Sequence, residues 1–143
     1  MRLFLLSWLP VAVWMGMIFW MSTSRFSFAN TARYIEPILR RLFRRLPDPA
    51  LQQAHARVRA AAHFVEYMIL ALLVFRAARA GEPPAFRPAW FAIALGITVA
   101  YGAVDEWHQG FEPGRSPRVR HFLADVAGAI AGLVATAAWI GWS

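Results

Sequence analysis

His63, Glu66 and Tyr67 are spaced i, i+3 and i+4, so a helix that carries them projects all three from one face. Asp105, His108 and Gln109 repeat that spacing, with Glu106 adjacent. Asp125 stands three and seven residues before Gly128 and Gly132 and shares their helix face. Arg115 closes the string Phe111-Glu112-Pro113-Gly114-Arg115, in which Pro and Gly favour a tight turn. These residue types support three kinds of chemistry. His63 or His108 can act as general base with Glu66 or Asp105 orienting the imidazole. Arg115 can clamp a phosphate or carboxylate, with Glu66, Tyr67, Asp105, Glu106, Gln109 and Asp125 completing a polar pocket. His63, Glu66, His108 and Asp125 form a weak metal set, but no HExxH-type zinc spacing occurs, so neither metal nor other cofactor is expected. The plainer role for any one of them, Tyr67 or Gln109 for example, is interhelical hydrogen bonding at about 0.6 kcal/mol each. Glu112, Arg118 and Arg120 read as solvated loop residues.

The elements that must position these groups are membrane spans. Of 143 residues, 59% are hydrophobic and only 16% charged, against ~25% charged in ordinary soluble domains. That balance excludes a disordered chain and argues against a soluble globule. All-α architecture follows, because backbone hydrogen bonds must close within each span. Four apolar runs are expected to cross the membrane as one domain over 1–143, at 3–21, 60–78, 89–106 and 122–142. The first covers about 29 Å as a helix, close to the ~30 Å hydrocarbon core. It lacks an Ala-x-Ala end, so it reads as a retained span rather than a signal peptide. Between spans one and two, Tyr34, Ile35, Ile38, Leu39, Leu42, Phe43 and Leu46 recur at helical spacing among five arginines. This segment, about 31–46, reads as an interfacial amphipathic helix, or else as a connector packed on the bundle. Gly128-x-x-x-Gly132 lets another helix, or a second copy of the chain, approach closely.

The net charge is +7, and all fifteen basic residues are Arg. They flank apolar runs, at headgroup depth, which argues against nucleic-acid binding. The missing Lys fits a high-GC bacterial coding bias. With no cysteine there is no disulfide, thiolate metal site or thiol nucleophile. Loops one and three carry eleven arginines and the opposite side four, so the positive-inside rule places those loops in the cytoplasm and both termini outside. If spans two and four begin, and span three ends, near their polar strings, then His63, Glu66, Asp105, Glu106, His108, Arg115, His121 and Asp125 gather at one end of the bundle. Gly128 and Gly132 would pack the helices behind them.

The strings Arg59-x-x-x-His63-Phe64-x-Glu66-Tyr67, Tyr101-x-x-x-Asp105-Glu106-x-His108-Gln109-x-Phe111-x-Pro113-Gly114-Arg115 and Asp125-x-x-Gly128-Ala129-x-x-Gly132 resemble the VanZ-like family over roughly 57–135. Ser22-Thr23-Ser24 at the exit of span one is similar too. Two positions depart from the family pattern: Ala60, where a Lys is usual, and His121, where an acidic residue is usual. The resemblance implies a small multi-pass protein of the bacterial cytoplasmic membrane, tied to the cell envelope or to resistance against the glycopeptide antibiotic teicoplanin. Three functions remain open at this level. One is binding of an anionic lipid or lipid-linked envelope precursor, the second a membrane-embedded enzyme, and the third a structural or partner-binding protein that includes a homo-oligomer.

Overall fold

A computed structural model describes residues 2–114 and 119–142. Among them are five helices: α1 (Arg2–Met21), α2 (Phe28–Leu42), α3 (Asp48–Ala78), α4 (Pro88–Gln109) and α5 (Val119–Trp142). A 3-10 turn, Ser24–Phe26, joins α1 to α2. Among the described residues α1, α3, α4 and α5 are long and apolar enough to cross a membrane, the character of a multi-pass membrane protein. Their outward faces carry Phe4, Leu5, Leu9, Val13, Ile130, Val134 and Trp139, which are exposed and would be costly to hydrate.

Helix α3 is the axis of the fold and packs on each of the other four, most extensively on α5. The reason is backbone proximity. A Cβ built on Gly128 would stand 2.0 Å from the carbonyl oxygen of Phe64, and one on Gly132 would stand 3.0 Å from Met68 Cγ. The Gly128/Gly132 stripe therefore docks α5 onto α3 of the same chain, so it is not free for another copy. Below this crossing Leu70, Ala71, Val74, Ala94, Ala129 and Leu133 form a core without polar side chains. Helix α1 is held by two indole and phenol bonds: Trp14 Nε1 donates to the Glu66 carbonyl at 2.9 Å, and Tyr101 Oη donates to the Met15 carbonyl at 2.6 Å.

Two boundaries differ from expectation. The amphipathic helix spans Phe28–Leu42 rather than 31–46: Ser27 caps its start by accepting from Asn30 N, and residues 43–46 leave it before Pro47. Helix α3 starts twelve residues before its apolar run, at Asp48, with Pro47 as its N-cap and a proline in its first turn. Its 31 residues measure about 46 Å, so its first turns stand outside a ~30 Å hydrocarbon core. That extension is folded because Leu51 and His55 are buried, and α2 packs on it through Leu39 while leaving Tyr34, Ile38 and Leu42 open. The two readings of α2 are thus compatible: one face packs on the bundle and the opposite apolar face is unpartnered.

Candidate functional site

The polar residues converge at the end of the bundle where α1 and α4 finish and α3 and α5 enter. Nδ1 of His63 donates to Asp125 Oδ1 at 3.1 Å, both side chains being buried. The His63 ring stacks on that of His121, with centroids 4.6 Å apart and planes 19° from parallel. His121 in turn faces Glu106, its Nδ1 lying 3.8 Å from Oε1. In the adjoining layer Gln109, 1% exposed, donates from Nε2 to Asp105 Oδ2 at 2.9 Å and to Ser22 Oγ at 3.4 Å. Tyr67 is fully buried, and its ring meets α4 at Gly102, where a Cβ would stand 3.2 Å from Tyr67 Cε1 and 3.7 Å from Asp125 Cβ. The absent side chain at Gly102 lets α3, α4 and α5 close around the buried carboxylates.

Loop one forms a roof on this layer. The Ser24 backbone N–H donates to Glu112 Oε2 at 2.7 Å, and Glu112 Oε1 lies 3.7 Å from Nε2 of His108. Glu112 is therefore half-buried and structural rather than a solvated loop residue. His108 packs against Phe19 of α1 in a tilted ring pair, centroids 4.4 Å apart and planes at 34°. A second node ties α2 to the α3 extension. Buried His55 stacks on Phe28 at 4.1 Å, shares a 3.1 Å hydrogen bond with the Thr31 hydroxyl, and lies 3.7 Å from Glu36. Arg59 donates from Nη1 to the Phe26 carbonyl at 2.7 Å and to Thr31 Oγ1 at 3.1 Å.

A cavity of about 200 Å³ opens between these parts. Its polar wall is Ser22, Thr31, Arg59, His63 and Glu66, and its apolar wall includes Met21, Phe26, Ile35 and Val58. One cation, one carboxylate and one oriented imidazole thus face an apolar surface in a space about the size of a small headgroup.

The sequence candidates divide clearly. His63, Asp105, Gln109 and Asp125 are buried together with Tyr67, and Glu66 lines the cavity. Glu106 approaches through His121, while His108 belongs to the roof. Arg115 and Arg118 lie outside the described residues, and Arg120 is exposed. Among the described residues no three His, Asp or Glu side chains are placed to hold a metal ion; of the weak metal set, His63 and Asp125 are the pair in hydrogen-bond contact. The structure adds Ser22, Glu112 and His55 to the residues that the sequence pattern points to. His55 was legible in principle, since His55, Arg59 and His63 recur every fourth residue and mark one face of a helix that begins before the apolar run.

Fold and site define a small multi-pass helical membrane protein whose polar residues are concentrated at one end. The VanZ/LLP1 family model matches residues 7–140, nearly the whole chain, and the chain belongs to that family. Comparison with curated proteins and with solved structures gives no match. Ala60 and His121 line one and the same cleft on the α3–α5 side of the bundle.

Proposed function

We propose that the protein binds the headgroup of a membrane amphiphile, an anionic lipid or a lipid-linked cell-envelope precursor, in the cavity beside His63. The observation that carries this reading is the cavity's composition: Arg59, His63 and Glu66 on one wall and Met21, Phe26, Ile35 and Val58 on the other. A guanidinium pairs with phosphate or carboxylate, a carboxylate and an imidazole hydrogen-bond to sugar hydroxyls, and apolar side chains take a ring face or the first methylenes of a chain. The Asp125 carboxylate fixes the His63 ring for that contact. Arg115, the clamp expected from the sequence, lies outside the described residues, and the cation on the cavity wall is Arg59. The arginine balance favours a cytoplasmic face for the cavity in a bacterial inner membrane, and family membership favours an envelope role, of which teicoplanin resistance is one form.

A second reading rests on the His63–Asp125 pair. An imidazole held by a buried carboxylate at a cavity wall is the arrangement of a general base, so turnover of the bound headgroup is the alternative to binding alone.

The test is native mass spectrometry of the purified chain with a glycosyl diacylglycerol, phosphatidylglycerol and phosphatidylcholine. The wild type should retain the glycosylated or the anionic lipid in preference to phosphatidylcholine. Ala62→Phe, which fills the cavity from the α3 side, should reduce that retention by about tenfold or more. Equal retention of all three lipids, unaffected by Ala62→Phe, would sink the reading. Conversion of the bound lipid by wild type and not by His63→Gln would move it to the enzymatic alternative.

A further inference from the structure

On the other side of α3 lies a cleft of about 380 Å³, lined by Gln53, Ala56, Arg57, Ala60, Arg120 and His121. Its two arginines come from different helices, Arg57 from the α3 extension and Arg120 from the first turn of α5. Both are exposed, and among the described residues neither has a carboxylate within ion-pair distance. By contrast Arg40 and Arg87 are paired with Asp48 and Glu82. The acidic side chain behind the cleft, Glu106, faces His121. Two uncompensated guanidinia that converge on one concavity repel each other unless an anion lies between them.

Depth and shape identify the anion. The apolar run of α3 begins at Ala60 and that of α5 at Phe122, so both arginines stand just outside the hydrocarbon, where lipid phosphates are found. Ala56 and Ala60, one turn apart, leave the floor of the cleft open, and the buried His121 ring closes its back. We propose that this cleft is a separate lipid site, which takes the phosphate of an anionic glycerophospholipid between Arg57 and Arg120, with Gln53 available as a further donor. The site does not depend on the headgroup cavity, because α3 lies between them. It does adjoin that cavity through one contact: His121 on the cleft wall stacks on His63 on the cavity wall. A lipid seated in the cleft therefore holds in place the ring against which the cavity's imidazole rests.

The experiment titrates phosphatidylglycerol and phosphatidylcholine against the detergent-solubilised chain and reads each bound stoichiometry by native mass spectrometry. The wild type should bind the first phosphatidylglycerol on the order of tenfold more tightly than phosphatidylcholine. The double variant Arg57→Gln/Arg120→Gln should lose one tightly bound phosphatidylglycerol per chain, counted apart from any held in the headgroup cavity. Ala60→Leu, which keeps both charges and fills the floor, should weaken the same binding event. Arg44→Gln/Arg45→Gln, which removes equal charge from the exposed segment after α2, should keep the preference. The proposal is overturned if phosphatidylglycerol shows no preference, if the number of tightly bound phosphatidylglycerols is unchanged in both cleft variants, or if it falls with Arg44 and Arg45 instead. Retention of a glycosyl lipid by Arg57→Gln/Arg120→Gln, read in the same spectra, separates failure at the cleft from failure at the headgroup cavity.

Discussion

The two halves of the α3–α5 seam are built from the same two helices and solve opposite problems. From Leu70 to Phe75 on α3 and from Ala129 to Leu133 on α5, the contact is made by aliphatic and aromatic groups that need no partner. One to two turns nearer the loops, the same seam buries His63, His121 and Asp125, and α4 adds Asp105 and Gln109. An Asp at membrane depth costs roughly 2.5–3.5 kcal/mol on insertion scales, whereas a tight helix crossing requires only small residues. Gly128 and Gly132 already supply those. The apolar half accounts for association of the helices; the polar half exceeds what association needs, and its side chains border a cavity. Stability and binding should therefore separate between the buried seam and the cavity wall, with substitutions at Gly128 or Asp125 affecting the first and substitution at Glu66 the second.

The largest effect is expected at the boundary of the two halves. Gly128→Leu must push α5 off the Phe64 carbonyl, so unfolding in detergent should show a loss beyond about 3 kcal/mol, the upper end of ordinary overpacking. Next comes the polar layer: Asp125→Ala leaves the His63 ring N–H without its buried acceptor and should cost about 1–3 kcal/mol, with Asp125→Asn recovering much of it. If Asp125→Ala were harmless, the polar half would be solvated rather than buried. A smaller loss, about 1 kcal/mol, is expected for Glu112→Ala, which removes the acceptor of the Ser24 N–H and frees the roof; hydrogen exchange at residues 22–27 is its local readout. The least effect belongs to the lipid-facing surface, where Val134→Ala should change stability by under about 0.5 kcal/mol.

The spans were legible because lipid imposes one rule on the whole length of a helix, and a charge-free run such as 3–21 has few alternatives. The convergence of the polar strings followed from topology alone, since antiparallel spans bring the ends of α1 and α4 to the starts of α3 and α5. The α3 extension was not legible from apolar content. Asp48 to Arg59 reads as a polar loop, and its helix exists because α2 covers Leu51 and His55, a tertiary fact. The same holds for Glu112, whose isolated position in a Pro-Gly turn resembles a solvated residue until the Ser24 N–H is seen beside it. Gly128 was identified as a point of close approach, but its partner, Phe64 on α3, required the structure.

The central claim, that the cavity wall at the polar end is a headgroup site and not only part of the bundle's packing, is tested most directly by a single variant read two ways. Glu66→Gln keeps the size of the side chain lining the cavity and leaves its backbone carbonyl to accept from Trp14. Unfolding and lipid retention are measured on the same preparation. The expected result is stability within about 0.5 kcal/mol of wild type, together with loss of the retained headgroup. A variant that unfolds readily while still holding its lipid would contradict the account and return Glu66 to a structural role.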